Sequence, residues 1–205
     1  MISLHMHRAF GFSALLGLTA CTSSAGGASG AMSWSSPPAM TIDTTKSYAA
    51  DLVTDDGTIH VQLFASESPH TVNNFVFLAR QHFYDGTFFH RVIAGFMIQG
   101  GDPTGTGTGG PGYAFADELP PKHAYASGIV CMANSGPNTD GSQFFICSGD
   151  GCAGLPPSYT QFGMVTAGAD VVSAIASAPV GPSSSGENSA PKQPIHVRSV
   201  AITGP

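Results

Sequence analysis

Residues 87–102 read TFFHRVIAGFMIQGGD. Two apolar runs, Phe88-Phe89 and residues 92–98, hold His90 and Arg91 between them, and the second run closes on Gln99 and a glycine pair. A guanidinium among β-branched and aromatic neighbours is costly to bury without partners. Taken alone, the stretch reads as a surface strand with one snorkelling arginine. A second stretch, residues 132–147, reads MANSGPNTDGSQFFIC and adds Asn134, Gln143 and the aromatic pair Phe144-Phe145. Together the two describe a groove with an apolar floor and a few fixed donors, the usual form of a small binding site.

Composition narrows the class. The chain has 205 residues, enough for one domain with a core and an extension. It is 42% hydrophobic and only 10% charged, with 26 Gly and 15 Pro, which favours many turns and strands over helices. The net charge is −6 and no Lys/Arg cluster occurs, so nucleic acid is excluded as a partner.

Working outward, residues 48–53 and 58–64 flank Asp55-Asp56-Gly57, a hairpin signal, with Ile59, Val61 and Leu63 alternating as in a half-buried strand. Ser68-Pro69 offers a helix start, and Val72, Phe75, Val76 and Ala79 continue at helical spacing to about Gln81. Strands are expected over 87–92, 96–99, 128–133, 143–147, 160–165 and 195–202, and a short helix over 169–177. Residues 100–121, 149–159 and the Pro/Ser/Gly-rich 179–194 read as loops. Many strands without regular strand–helix alternation indicate an all-β-dominated antiparallel sheet or barrel.

FHR-x-I-x-GFM-x-QGGD and MAN-x-GPNT-x-GSQFFI, in this order with GTGTGG at 105–110 between them, closely resemble the cyclophilins, the peptidyl-prolyl cis-trans isomerases. The resemblance extends from about Tyr48 to about Thr203. It implies a closed eight-stranded antiparallel β-barrel capped by two α-helices, active as a monomer on proline-containing peptides and without a cofactor. By the same resemblance Arg91 is the principal catalytic residue, with Gln99, Phe96 and Asn134 beside it. Met97, Phe145 and Leu155 complete a proline pocket with Phe96, and Gln143 orients Arg91 or the peptide backbone. Ala133, Ser135, Gly107 and Thr108 line a recess for the residues before proline, and Tyr159 stands at the rim where a histidine is common. The loop before Tyr159 lacks the rim tryptophan of many cyclophilins and places Gly154 there, so cyclosporin binding is expected to be weakened.

The chemistry suits this residue set. Rotation about an X-Pro bond faces a barrier of about 18–20 kcal/mol set by amide resonance, and it needs neither nucleophile nor general acid. Twisting makes the prolyl nitrogen pyramidal and exposes a lone pair that a permanently charged guanidinium can stabilise. Other motifs fail. GTGTGG satisfies G-x-G-x-x-G, but Pro111 and Gly112 follow it where a phosphate-binding helix would have to begin. The eight histidines are scattered without metal-site spacing, so no metal is expected.

Residues 1–20 read as a signal peptide whose apolar run, 9–20, is too short to span a bilayer. It ends in Leu18-Thr19-Ala20-Cys21, which resembles the bacterial lipobox, in which the Cys receives a diacylglyceryl group; an ordinary secretory signal with a stray Cys is the alternative. This places the protein in the cell envelope, extracytoplasmic and lipid-anchored to a bacterial membrane, serving unfolded exported proteins. Residues 21–44 read as a flexible tether that leaves Trp34 outside the fold, and 45–205 as the isomerase domain. Of the three remaining cysteines, Cys147 and Cys152 bracket a short loop and are the preferred disulfide pair; three unpaired thiols are the alternative.

Overall fold

The computed structural model describes residues 32–205. Cys21 and the expected signal peptide lie outside the described residues. The chain runs β1 (Tyr48–Thr54), β2 (Gly57–Leu63), α1 (Pro69–Arg80), β3 (Arg91–Ile93), β4 (Met97–Gly100), β5 (Ile129–Met132), β6 (Phe144–Cys147), β7 (Gln161–Ala167), α2 (Ala169–Ala176), β8 (Val180–Pro182), β9 (Asn188–Pro191) and β10 (Val197–Thr203). A 3₁₀ turn at Asp150–Gly154 interrupts the loop between β6 and β7.

Eight strands form one antiparallel sheet in the order β10-β1-β2-β7-β5-β6-β4-β3. The fold is thus all-β with two helices, as the resemblance implied, but the sheet is a curled half-barrel, open rather than closed. Its two edges meet at a single antiparallel bridge, Phe88 to His196. Phe89 N–H donates to the Ile195 carbonyl and Val197 N–H to that of Thr87, at 3.1 and 2.8 Å. The seam stays this short because β3 has only three residues and follows β4 rather than β10.

Strand alternation sorts the residues between two faces. Val92, Ile98, Val130, Phe144 and Ile146 point inward to the main core with Ile59, Val61, Phe162 and the buried face of α1. Met97, Cys131, Phe145 and Cys147 point the other way and form a second buried cluster with Tyr125, Ile129 and Cys152. That outer cluster is the floor of the site described below.

Helix α1 covers the predicted residues, but its start is capped differently. Ser68 Oγ donates to the Gln161 carbonyl at 2.6 Å instead of capping. The orphan N–H groups of His70 and Thr71 donate to the Glu118 carboxylate at 3.1 and 2.9 Å, which places an anion at the positive end of the helix.

Two expectations change. Trp34 is not outside the fold: its ring packs on Phe77 and Phe83 at centroid distances of 5.2 and 5.9 Å, and its backbone N–H donates to the Pro111 carbonyl. Thr41 and Ile42 donate from the backbone to Asn73 Oδ1 at 2.8 and 3.3 Å, and Ile42 is buried. Residues 32–44, assigned to the tether, therefore lie on the domain because they bring apolar side chains to its surface. The stretch 179–194 is not a plain loop: β8 and β9 pair as a two-stranded hairpin.

Candidate functional site

The register across β3, β4 and β6 builds the site. Arg91 lies opposite Gln99, and Gln99 opposite Phe145, so the three side chains form one cross-strand row on the outer face. Ile93, Met97 and Cys147 form the next row. Gln143, two residues before Phe145, falls on the same face.

A recess of about 140 Å³ opens there, lined by Arg91, Phe96, Met97, Gln99, Ala133, Asn134, Phe145, Leu155 and Tyr159. Met97 and Phe145 make its buried floor. Tyr159 stands edge-on to Phe145 at 5.5 Å, and its position is fixed by its backbone: Tyr159 N–H donates to the Tyr125 hydroxyl, which donates to the Tyr159 carbonyl. Leu155 follows the 3₁₀ turn, which a disulfide ties down: Cys147 and Cys152 are bonded, with Cα atoms 6.0 Å apart. The preferred cysteine pair is thus the one formed. Among the described residues Cys131 is the free cysteine, a buried thiol whose pKa is pushed up by burial and then by nearby Asp140.

A broader trough of about 550 Å³ adjoins this recess and shares Gln99, Ala133 and Asn134 with it, adding Gly107, Thr108, Ser135 and Gln143. The structure therefore brings all thirteen sequence-predicted groove residues onto one surface. A hydrogen-bonded chain links its parts. Arg91 Nη1 donates to Gln99 Oε1 at 3.4 Å, and Gln99 Nε2 to Gln143 Oε1 at 3.1 Å. Gln143 Nε2 then donates to the carbonyls of Gly107 and Gly109 at 3.0 and 2.9 Å. Asn134 is held by donating to the Ser158 carbonyl at 3.0 Å.

Asp102, which the sequence reading did not single out, organises the glycine loop. One carboxylate oxygen accepts from the Thr104 N–H and hydroxyl, the other from the N–H groups of Gly107 and Gly109, at 2.7–3.1 Å. Burial works against ionising Asp102, but the Thr104, Gly109 and Gly107 bonds outweigh it and hold the carboxyl below its usual range. The loop amides that a G-x-G-x-x-G reading would offer to a phosphate are thus spent on an internal carboxylate. Gly101 makes the entry to this loop: its φ is +81°, and a Cβ there would collide with the Ser142 carbonyl.

The sequence reading also missed Glu187. It sits at the end of the β8–β9 turn, and its carboxylate accepts two bonds from Arg91: from Nε at 2.6 Å and Nη2 at 3.0 Å. The Arg91 bond chiefly holds the Glu187 carboxyl below its usual pKa. One signal was available, since Glu187 is the single acidic residue in the stretch 179–194.

A small apolar recess beside a held guanidinium, opening into a polar trough, defines a protein that binds extended polypeptide. Comparison with known proteins narrows this. The description "cyclophilin type peptidyl-prolyl cis-trans isomerase/CLD" matches residues 49–202. Peptidyl-prolyl cis-trans isomerase B of Streptomyces anulatus is 47% identical over 151 residues, covering 65% of this chain and 86% of that one. The probable peptidyl-prolyl cis-trans isomerase A of Mycobacterium leprae is 44% identical over 172 residues, covering 75% and 91%. A Cryptosporidium parvum cyclophilin-type isomerase, solved in the presence of the dipeptide Ala-Pro, superposes with a TM-score of 0.69 at 35% identity, covering 76% and 98%. The chain belongs to the cyclophilin-type peptidyl-prolyl cis-trans isomerases. Its activity is rotation about X-Pro peptide bonds.

Proposed function

We propose that Arg91 is the residue that accelerates this rotation, in unfolded exported chains and from a lipid anchor at Cys21. The observation that carries the assignment is the position of Arg91 Nη1, at the rim of the recess floored by Met97 and Phe145 and in contact with Gln99 Oε1. A proline ring seated among Phe96, Met97, Phe145 and Leu155 presents its nitrogen and the preceding carbonyl to that edge. In the planar amide the nitrogen lone pair is delocalised and offers the guanidinium little. In the twisted state it is localised, so the interaction strengthens only where the barrier lies. Gln99 and Gln143 hold the cation and the trough wall. Asn134 presents its backbone to the peptide, and Ala133, Ser135, Gly107 and Thr108 accept the residues before proline. The Ala-Pro dipeptide used with the Cryptosporidium relative is the smallest ligand of this kind.

Arg91→Ala is expected to lower kcat/KM about 10²–10³-fold in a coupled isomerisation assay on a proline tetrapeptide, the loss of one charge-assisted donor worth about 3–4 kcal/mol in the transition state. Activity within about threefold of wild type removes Arg91 from this role. For the anchor the support is the sequence Leu18-Thr19-Ala20-Cys21 and the short apolar run before it. Two acyl chains suffice for stable membrane attachment. Wild-type protein should partition into the detergent phase and Cys21→Ser into the aqueous phase; an aqueous wild type ends the lipoprotein reading.

A further inference from the structure

We propose that Glu187 is the positioning residue for Arg91: the β8–β9 hairpin exists in this chain to hold the guanidinium by its Nε–Nη2 edge and so aim Nη1 into the proline recess. The proposal rests on the assignment of Arg91 above and adds a residue from a separate element, about a hundred positions further along the chain.

The geometry divides the guanidinium into two edges. Nε and Nη2 meet both carboxylate oxygens of Glu187, at 2.6 and 3.0 Å, in the parallel fork that arginine and a carboxylate form best. Nη1 faces the recess, where its neighbours are Gln99 Oε1 at 3.4 Å and the Met97 sulfur at 3.9 Å. Those two contacts are long and weak. Without Glu187 they are all that fixes a side chain with several rotatable bonds at the end of a three-residue edge strand.

Space is left for that side chain to move. Behind Arg91, between the glycine loop and the hairpin, lies a second recess of about 510 Å³, lined in part by His90, Gly105, Thr106, Ser184 and Glu187. It shares Gln99, Gly107 and Thr108 with the trough but includes none of Phe96, Met97, Phe145 and Leu155, which seat the proline. A guanidinium released from Glu187 can turn into it and leave the reacting bond. His90 does not replace Glu187 as a partner: an imidazole carries no negative charge in either protonation state, and among the described residues neither of its buried ring nitrogens has a hydrogen-bond partner.

Two effects of Glu187 oppose each other. Its charge offsets that of Arg91, which weakens the field at the prolyl nitrogen. Its fork fixes the donor, which strengthens the productive contact. The pair is about one-third exposed, 34% and 40%, so water screens the charge effect to a small value. Misplacement of a reacting donor by about 1 Å costs up to about 10²-fold in rate. Positioning therefore wins, and removing the carboxylate slows the enzyme rather than releasing it.

The test is a set of Glu187 variants assayed for isomerisation of a proline tetrapeptide, with peptide Kd taken from amide chemical-shift titration. Glu187→Ala should lower kcat/KM about tenfold with Kd within twofold, because ground-state binding rests on the apolar floor. Glu187→Gln keeps one acceptor and should fall between Ala and wild type. In an Arg91→Lys background, where a single ammonium cannot form the fork, Glu187→Ala should cost less than twofold. A purely structural role for the hairpin would give equal losses in both backgrounds, and that result overturns the proposal. So does a Glu187→Ala variant with unchanged or increased kcat/KM while the wild type is active and Arg91→Ala is not. If Arg91→Ala itself is fully active, the underlying assignment falls, and this proposal with it.

Discussion

At the scale of single residues, the groove differs from the expected one at its rim rather than at its floor. Gly154 closes the 3₁₀ turn beside Leu155, and a Cβ added there would meet nothing within 4 Å. An indole on a cyclophilin rim supplies apolar area and an N–H donor, the combination that often dominates binding at about 2 kcal/mol or more. Tyr159 cannot stand in by moving, since its backbone is locked to Tyr125 and its ring to Phe145. Cyclosporin should therefore inhibit this enzyme about 30-fold less well than a Trp-bearing relative. The open space makes the converse experiment available. Gly154→Trp should recover at least about tenfold in inhibition while leaving isomerisation of a tetrapeptide within about threefold. Equal potency of wild type and a Trp-bearing relative would show that the indole is irrelevant here.

At the scale of elements, the loop joining β5 and β6 carries a buried acid that ties it to the start of β7 and to Phe115. Asp140 is fully buried, accepts from the Thr160 hydroxyl at 2.8 Å, and its backbone carbonyl accepts from Phe115 N–H. Its Oδ1 and that of Asp117 have no donor among the described residues. Burial chiefly, with the charge of Asp117 added and the Thr160 bond opposing, raises the Asp140 pKa to about 7. A carboxyl raised above its unfolded value of 3.8 favours the fold only while protonated. Its stabilising contribution is complete below that value and is lost as pH rises through about 7. Asp140→Asn keeps the neutral form, and its amide can donate to Asp117. The variant should melt with the wild type near pH 4 and above it by several degrees at pH 8. A constant difference across that range would remove the ionisation from the account.

The elements also show what was readable beforehand. Period-two and period-3.6 patterns placed β1, β2, α1, β10 and the two signature strands within a few residues, because each buries one face against the core. The groove was legible because its residues sit on two continuous motifs whose strands pair directly. Contacts made by the polar side chains of loops were not legible. Glu118 on the start of α1, Asp102 inside the glycine loop and Glu187 on Arg91 all depend on where a loop ends up, which no local periodicity encodes. The β8–β9 hairpin was hidden for a related reason: Pro182, Pro191 and a run of serines look like a loop although an edge hairpin tolerates them. The expected closed barrel failed at the one place where a strand is too short to make a ladder.

At the scale of the whole molecule, the domain begins earlier than composition indicated. Trp34 packs against α1 and the segment after it, and Asn73 holds the backbone of Thr41 and Ile42. Trp34 is only half-buried. Its replacement by Ala should cost about 2 kcal/mol, roughly half the figure for a fully buried aromatic. For a chain of this size that lowers Tm by about 4–8 °C. Because the Trp34 ring packs on Phe77 and Phe83 and lines neither the proline recess nor the trough, kcat/KM at 25 °C should not change. A Tm within 1 °C of wild type would return residues 32–44 to the status of a tether.

The pairing of β1 with β10 has a consequence in time. Residues 48–54 find their partner among residues 197–203, so the first strand made is completed by the last. A ribosome delivers the N-terminus first, at about 5–20 residues per second, so for roughly 7–30 seconds β1 has only β2 to pair with. Arg91 waits for the same event, since Glu187 and the seam at His196 come near the end of the chain. If Glu187 aims Arg91 as proposed, a nascent copy has the groove residues long before it has the carboxylate that holds their guanidinium.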